Sequence, residues 1–322
     1  MNIASIVLGF IALTTGAALS LSASAQSYPV RPIRIVVGFQ PGGGVDISSR
    51  AIGKQLTEAL GQSVFVDNRP GASGNIAAGI VAKSPPDGYT LLMANVTIAM
   101  PSMFPKIPFD VNKDLAPVSL VALGPHVLVV HPSVPVKTVK QLIVLAKAKQ
   151  LIYSSGGYGN INHLEMELFN LKAGIRDMLH VPYKGGTPAL IGLLSGEAYL
   201  LITSIPAVLA QIKSGKVRAL GVSTSKRSSI LPDVPTIDEA GVPGYDAASW
   251  YGLFAPAGVP PGALAILSKE IVKTMRVPEV RDRFAADAFD PVGSTPEEFS
   301  RFIRDETSKW AKLIETAKIK AE

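Results

Sequence analysis

The sequence predicts an α/β protein with two lobes, each a mainly parallel sheet flanked by helices. Short apolar segments of strand length alternate with amphipathic segments of helix length, and glycine-rich turns join them. This alternation is typical of sheets with parallel strands. It occurs before residue 100 and again in residues 125–225. We therefore assign residues 26–124 and 226–322 to lobe 1 and residues 125–225 to lobe 2.

Residues 1–25 predict a secretory signal peptide. They are small and apolar, carry no charge and end in the cleavage pattern Ala23-Ser-Ala25. Because no Lys or Arg precedes the apolar run, an uncleaved membrane anchor is the alternative, but the Gly, Ser and Thr within the run favour cleavage after Ala25. No later segment reaches the roughly 18 apolar residues that span a bilayer. We expect the mature protein in the periplasm.

The composition excludes several classes of site. The chain has no cysteine, so disulfides and thiolate chemistry are excluded. Its four histidines are not spaced as a metal-binding pair, and we expect no metal and no cofactor. The net charge of +6 is dispersed, without a basic stripe interleaved with aromatic residues, which argues against nucleic-acid binding. An excess of positive charge favours small anions.

The first predicted elements belong to lobe 1. Residues 33–38 are apolar except for Arg34 and follow Pro32, as in a buried parallel strand. A helix begins near Asp46, places its apolar residues on one face and ends at Gly61. A strand at 63–67, a helix at 76–83 and a strand at 89–95 follow.

Lobe 2 begins after residues 118–131, a β-rich stretch broken at Gly124-Pro125, where the chain can cross between lobes. The helix after the second glycine-rich turn begins at Asn160 or Asn162 and ends at Gly174. The other elements are helices at 137–149, 187–196 and 204–215 and strands at 151–154, 179–183, 199–203 and 217–223. A proline-rich passage returns the chain to lobe 1, with a strand at 251–255 and helices at 264–274, 278–286 and 296–319.

Three glycine-rich turns, at residues 39–46, 154–160 and 184–187, share one design. Each places backbone N–H groups at the start of a helix, where the helix dipole attracts an anion. Ligands of α/β lobes bind at the carboxyl ends of strands, where these turns lie. We therefore predict a carboxylate site formed by turns of both lobes. The candidate ligand-binding residues are Phe39, Gln40, Pro41, Gly42, Gly43, Gly44, Asp46, Asn95, Ser154, Ser155, Gly157, Gly159, Asn160, His163, Tyr183, Lys184 and Thr203.

Several of these side chains have a structural alternative. Asp46 either caps its own helix or orients a water or a cationic group of the ligand. Ser154 and Ser155 donate hydroxyls to ligand oxygens or cap the turn. His163 either packs and caps or contacts the ligand. Lys184 is either a solvated surface lysine or a positive charge at the site.

An enzymatic alternative rests on Ser223 and Lys226. Their spacing matches the S-x-x-K pattern, which places a lysine one helical turn from a nucleophilic serine. The pattern occurs by chance in loops rich in Ser and Lys, and no helix is predicted behind this strand. The sequence therefore favours a binding protein over a serine hydrolase.

Eight motifs follow one another along the whole mature chain. They are Tyr28-Pro-Val-Arg-Pro-Ile-Arg34, Pro41-Gly-Gly-Gly-Val-Asp46, Asp67-Asn-Arg-Pro-Gly-Ala72, Pro85-Pro-Asp-Gly-Tyr-Thr-Leu-Leu92, residues 153–164, Pro182-Tyr-Lys-Gly-Gly186, residues 231–241 and Trp250-Tyr-Gly-Leu-Phe-Ala-Pro256. Together they resemble one family, the Bug receptors, which are the extracytoplasmic solute-binding components of tripartite tricarboxylate transporters.

The resemblance implies a two-lobed periplasmic-binding-protein fold of type II that closes on a small carboxylate. It also implies a monomer that delivers this ligand to membrane permease subunits. A sensor that presents the ligand to a membrane signalling partner is the alternative.

The resemblance also implies residue roles. The turns at 39–46 and 154–160 would grip a carboxyl group, partly through water, so Asp46 would hold that water. This chain departs from the family at Asn160, where Ser or Thr is usual, and at Tyr199 and Thr203, where aspartates are usual. Without a carboxylate at residue 203, we expect a dicarboxylate or an aromatic carboxylate in preference to an amino acid.

Overall fold

The computed structural model describes residues 28–42, 44–100, 103, 107–286 and 288–319. The predicted signal peptide, its cleavage site and Gly43 lie outside the described residues. Within those ranges, no helix is both long enough and apolar enough to cross a membrane.

Eleven strands form two sheets in the described part of the chain. The first sheet contains β1 (Ile33–Val37), β2 (Val64–Asn68), β3 (Thr90–Asn95), β4 (Leu115–Gly124), β10 (Ser249–Pro256) and β11 (Asp290–Pro291), in the order β11-β4-β10-β3-β1-β2. The second contains β5 (His126–Val130), β6 (Ile152–Ser155), β7 (Leu179–Pro182), β8 (Leu200–Ser204) and β9 (Arg218–Val222), in the order β7-β6-β8-β5-β9.

Helices cover both sheets, as the alternating pattern predicts. Some of them begin at capping residues of the sequence: the last helix, for example, begins with a capping box of Thr295 and Glu298. The helices are α1 (Gly44–Leu60), α2 (Asn75–Ala82), α3 (Val111–Asp114), α4 (Val139–Ala148), α5 (Ile161–Ala173), α6 (Gly186–Ser195), α7 (Ile205–Lys213), α8 (Pro261–Thr274), α9 (Pro278–Ala286) and α10 (Pro296–Thr316).

Most strands of each sheet run in one direction, as predicted, but each sheet also contains antiparallel pairs. β1 pairs in parallel with β2 and β3, and β6 with β7 and β8. However, β10 is antiparallel to β3 and β4, and β5 is antiparallel to β8 and β9. β5 and β10 each begin where the chain crosses between sheets. A strand that enters a sheet at the carboxyl edge of its parallel strands has to run away from that edge.

The crossing between the sheets is a pair of hydrogen-bonded segments. β4 ends at Gly124 and β5 begins at His126, on either side of Pro125, as predicted. The returning chain passes beside it at Ser223, whose N–H donates to the His126 carbonyl at 2.8 Å. The Ser223 hydroxyl accepts the N–H of His126 at 2.9 Å. The two connections between the sheets are therefore joined to each other.

Residues after β9 stay close to the second sheet before the chain returns. Ile237 donates its N–H to the Val222 carbonyl, and Ala247 donates to the Ser223 carbonyl, at 2.8 and 2.9 Å. One buried apolar cluster includes Leu128 of the second sheet and Trp310 of α10, and α10 packs against both β4 and α5. The lobe boundaries at residues 125 and 225 stay predictions.

Candidate functional site

The first glycine-rich turn leaves β1 in close contact with a second turn of the same lobe. A Cβ on Gly38 would lie 2.4 Å from the Cα of Gly74, so only glycine fits there. The Phe39 ring lies next to Gly74, and the Tyr251 hydroxyl lies against Gly44, where a Cβ would be 2.4 Å away. These approaches fix the backbone of residues 38–44 between β1 and α1. The described part of the turn between them, residues 40–42, is exposed.

Asp46 is not the N-cap of α1, because the helix begins two residues earlier, at Gly44. Its carboxylate is buried, accepts three hydrogen bonds and forms an ion pair with Arg50. Oδ2 accepts the N–H of Gly42 at 2.9 Å and Nε–H of Arg50 at 3.0 Å. Oδ1 accepts Nδ2–H of Asn68 at 2.9 Å and lies 2.9 Å from Nη2 of Arg50. Each oxygen thus has two partners within the protein, and the carboxylate holds the turn through them.

Burial and hydrogen bonding shift the pKa of Asp46 in opposite directions. Burial alone would raise the pKa of Asp46, but the hydrogen bonds from Arg50, Gly42 and Asn68 outweigh it and hold this pKa below its ordinary value. Sequence reasoning missed Arg50 and Asn68. The position of Asn68 in the motif at residues 67–72 was the available signal.

Asn95, at the end of β3, is engaged within its own lobe. Its side-chain oxygen accepts the Thr97 N–H at 3.2 Å, which caps the short helical turn Val96–Ala99. Asn95 lines one small cavity together with Phe39 and Gly74. The structure therefore brings the two predicted lobe 1 residues Phe39 and Asn95 together.

The second and third glycine-rich turns form one surface on lobe 2. Tyr183 donates its N–H to the Ser155 carbonyl at 2.9 Å, and Gly185 donates to the Gly156 carbonyl at 3.2 Å. Gly157 and Gly159 have φ angles of 125° and 67°, which favour glycine. Asn160 is the N-cap of α5, as one of the two predicted alternatives, and accepts the N–H of Asn162 at 3.1 Å.

The two serines of this turn point to different partners. The Ser154 hydroxyl is fully buried and donates to the Ala189 carbonyl of α6 at 3.0 Å, so it faces the lobe interior. The Ser155 hydroxyl accepts the Gly157 N–H at 3.1 Å and lies 2.6 Å from Nε2 of His180. The Ser155 hydroxyl therefore stabilises the turn itself, whereas the Ser154 hydroxyl joins the end of β6 to α6.

His163 and His180 lie stacked beneath the turn. Their ring centroids are 4.1 Å apart with 6° between the planes. Nδ1 of His163 accepts the Gly159 N–H at 3.1 Å. Burial, with a smaller contribution from His180, lowers the pKa of His163 to about 3, and burial lowers the pKa of His180 to about 4. Sequence reasoning missed His180, because the β6–β7 register, in which Tyr153 pairs with His180, is not visible in the sequence.

The other predicted residues of lobe 2 lie apart from this cluster. The Tyr183 hydroxyl donates to Glu197 at 2.9 Å, and its ring packs against Gly192 of α6. Lys184 is exposed. Thr203 is buried in β8, where it pairs with Val127 of β5.

The strand registers bring the carboxyl ends of the two sheets toward each other. Asn95, at the end of β3, pairs with Tyr251, which pairs with Ala122 shortly before the crossing. On the other side of the crossing, His126 pairs with Ser204 at the end of β8. The turns after the parallel strands of both sheets therefore flank the same crossing.

A contact across this crossing joins the two sides directly. A Cβ on Gly159 would lie 2.5 Å from Cε of Met103. Met103 follows β3 in the first sheet's half of the chain, and Gly159 belongs to the turn after β6 of the second sheet. The second glycine-rich turn is thus in contact with the opposite half.

The serine hydrolase alternative does not fit the structure. The Ser223 hydroxyl is fully buried and accepts the His126 N–H. Residues 223–226 form bends instead of a helical turn, and Lys226 is exposed. The lysine is therefore not placed one helical turn from the serine, which S-x-x-K chemistry requires.

Comparison with known proteins decides the family. The model of the tripartite tricarboxylate transporter family receptor, TctC, matches residues 48–319. The chain belongs to this family. The Bug resemblance is confirmed, and members of the TctC family are solute-binding receptors, not enzymes.

TctC relatives match over almost the full chain. Protein BugT of Bordetella pertussis (strain Tohama I) is 39% identical over 96% of this chain and 95% of its own length. An R. palustris protein solved with adipate is 36% identical, with a TM-score of 0.76 over 91% of this chain and 99% of that one. MatC from Rhodopseudomonas palustris, with bound malate, is 30% identical, with a TM-score of 0.70 over 89% and 100%. The two-lobed periplasmic-binding-protein fold is thereby confirmed.

Proposed function

We propose that this protein is a periplasmic receptor that captures a small carboxylate between the glycine-rich turns at residues 39–46 and 154–160 and delivers it to a tripartite tricarboxylate-type permease. The observation that carries the proposal is the presence of unbonded backbone N–H groups in the turn at residues 155–160. There, the N–H groups of Gly156 and Tyr158 donate to no acceptor within the described ranges of the chain. They flank amides that are already bonded, and they precede the N-terminus of α5, which favours an anion.

The class of carboxylate follows from what surrounds these amides. The histidines beneath the turn are neutral at physiological pH because burial lowers their pKa values to about 3 and 4. Recognition would therefore depend on backbone N–H groups, and Thr203 supplies no carboxylate for a ligand amino group. This supports a dicarboxylate or an aromatic carboxylate over an amino acid. The relatives solved with adipate and malate agree with this class.

A thermal-shift screen tests the binding function. The protein would be unfolded, stripped of ligand, refolded and mixed with adipate, malate, aromatic carboxylates, amino acids and sugars in turn. A ligand at 100 times its Kd adds about 2.7 kcal/mol to the free energy of unfolding. We expect shifts with carboxylates. Shifts with sugars alone would overturn the proposal. Native mass spectrometry of the protein as purified would identify a retained ligand.

Experiments in cells distinguish delivery to a permease from signalling. A deletion strain that loses uptake of the identified carboxylate supports delivery to a permease. Normal uptake with lost gene induction would show a sensor instead. Size-exclusion chromatography with light scattering tests the expected monomer.

A further inference from the structure

We propose that His180 is a positioning residue for the carboxylate-binding turn, which we define as residues 155–160. It acts as a neutral imidazole with its proton on Nε2 and shares this task with the stacked His163. The inference rests on the proposed carboxylate function for the role of the turn, whereas the contacts themselves belong to the structure.

The hydrogen bonds of Ser155 determine the tautomer of His180. Nε2 of His180 lies 2.6 Å from the Ser155 hydroxyl oxygen, and its Nδ1 is buried without a hydrogen-bond partner in the described chain. A proton on Nδ1 would leave a buried N–H donor unsatisfied, which is costly. With the proton on Nε2, His180 donates to Ser155, and Ser155 donates to the Gly157 carbonyl at 3.1 Å. The Gly157 N–H then completes the bonds of the Ser155 oxygen.

His163 holds the other end of the turn. Its Nδ1 accepts the Gly159 N–H, so its proton also lies on Nε2. The two rings therefore bind the turn at Ser155 and at Gly159 while they stack on each other. The amides of Gly157 and Gly159 are used in this way, and those of Gly156 and Tyr158 stay available for a carboxylate.

The surroundings keep both rings neutral. Tyr153 of β6 stacks on His180 with centroids 4.8 Å apart, and Tyr158 of the turn contacts both rings edge-on. Glu167 of α5 is a charged group beside this stack, and it accepts the hydroxyl of Tyr153. Because the two imidazoles are parallel and close, a charge on one opposes a charge on the other. When both rings are neutral, Nδ1 of His163 can accept the Gly159 N–H, and Nδ1 of His180 carries no proton.

Three variants separate the hydrogen bond from the packing. His180→Phe keeps a stacked ring but loses the donor. His180→Gln loses the ring but retains a side-chain N–H with similar reach. His131→Gln is the matched control, since the His131 ring is hydrogen-bonded to Ser133, outside this turn. With adipate and malate as probes in calorimetry, we expect His180→Phe to weaken binding about tenfold or more. We expect most of the affinity to return in His180→Gln and His131→Gln to match the wild type.

A measurement without ligand decides the inference independently of the proposed function. Long-range ¹H–¹⁵N spectra should show both rings in the Nε2–H tautomer at about pH 6.5, and amide exchange should show protected N–H groups at Gly157 and Gly159. We expect His180→Phe to lose that protection. Wild-type protection in His180→Phe, or an Nδ1–H tautomer of His180, would overturn the inference even if carboxylates bind. Failure of adipate, malate and every other carboxylate to bind the wild type would overturn the proposed function instead.

Discussion

The side-chain amide of Asn68 donates to the Asp46 carboxylate at 2.9 Å and to the Phe39 carbonyl at 3.0 Å. One amide thus joins the first turn of α1 to the start of the glycine-rich turn. The carboxylate in turn accepts the Gly42 N–H. Asp46 and Asn68 therefore hold the backbone of the turn at residues 39–46. Under the proposed function they would act on the ligand through that backbone, a role that the sequence alone did not separate from water binding.

Replacement of Asp46 should weaken carboxylate binding while the fold is retained. In Asp46→Ala, the Gly42 amide loses its acceptor and the turn loses its fixed shape. We expect adipate or malate affinity to fall more than tenfold, which corresponds to about 1.4 kcal/mol. Calorimetry measures this, and circular dichroism checks the fold. Asp87→Ala is the control, because Asp87 pairs with Arg31 away from this turn. Equal affinities for Asp46→Ala and the wild type would contradict the role.

The elements were predictable where the signal is local. Gly124-Pro125 marked the crossing, and the glycines at residues 61, 174, 196 and 215 marked helix ends, because a left-handed or broken backbone needs particular residues. The direction of β5 and β10 was not predictable. It depends on the edge at which a strand enters its sheet, and the apolar pattern of a strand is the same in either direction.

The candidate site was predictable as a set of turns but not as a set of contacts. Glycine-rich turns can be recognised from their composition, and Asn160 can be recognised as a helix cap from its sequence pattern. His180 and Asn68 are far in sequence from the residues that they hold, and their role depends on the pairing of β7 with β6 and of β2 with β1. A single sequence does not show which residues of neighbouring strands pair, so these partners were missed.

Ser223 should contribute to stability and not to chemistry. In Ser223→Ala, the buried N–H of His126 loses its acceptor at the crossing between the sheets, which costs about 1–3 kcal/mol. Urea denaturation measures the change, with the exposed Ser225→Ala as control. A serine-reactive phosphonate should label neither the wild type nor the variant. Labelling that disappears in Ser223→Ala would restore the hydrolase hypothesis.

Glu306 should tie the last helix to the first sheet. Its carboxylate accepts the indole N–H of Trp250 at 3.1 Å and of Trp310 at 2.9 Å, and all three residues are buried. Glu306→Leu leaves two buried donors unsatisfied and should cost about 2–4 kcal/mol. Glu306→Gln retains an acceptor oxygen and should cost less.

The chain has only two tryptophans, so intrinsic fluorescence reports directly on this cluster. The emission of Glu306→Leu should shift even before unfolding, and its urea midpoint should fall. Glu315→Gln, on the exposed face of the same helix, should match the wild type in both measurements. An unchanged midpoint in Glu306→Leu would show that the indoles find other acceptors.

The buried histidine pair should make stability depend on pH in the acidic range. His163 has an ordinary pKa of 6.5, which burial lowers to about 3 in the folded protein. Between these values the unfolded chain binds a proton that the folded one does not, so the stabilisation is complete above about pH 6.5 and is lost as the pH falls. The loss of unfolding free energy from His163 is about 1.4 kcal/mol for each pH unit in that window.

Urea titrations at about pH 7.5 and pH 5 measure this loss of stability. Carboxylates that titrate near pH 4 contribute to the same curve, so the deciding comparison is with His163→Gln, whose stability should change less between these two pH values. Identical slopes for the variant and the wild type would mean that His163 titrates normally and that its ring does not hold Gly159 as a neutral acceptor.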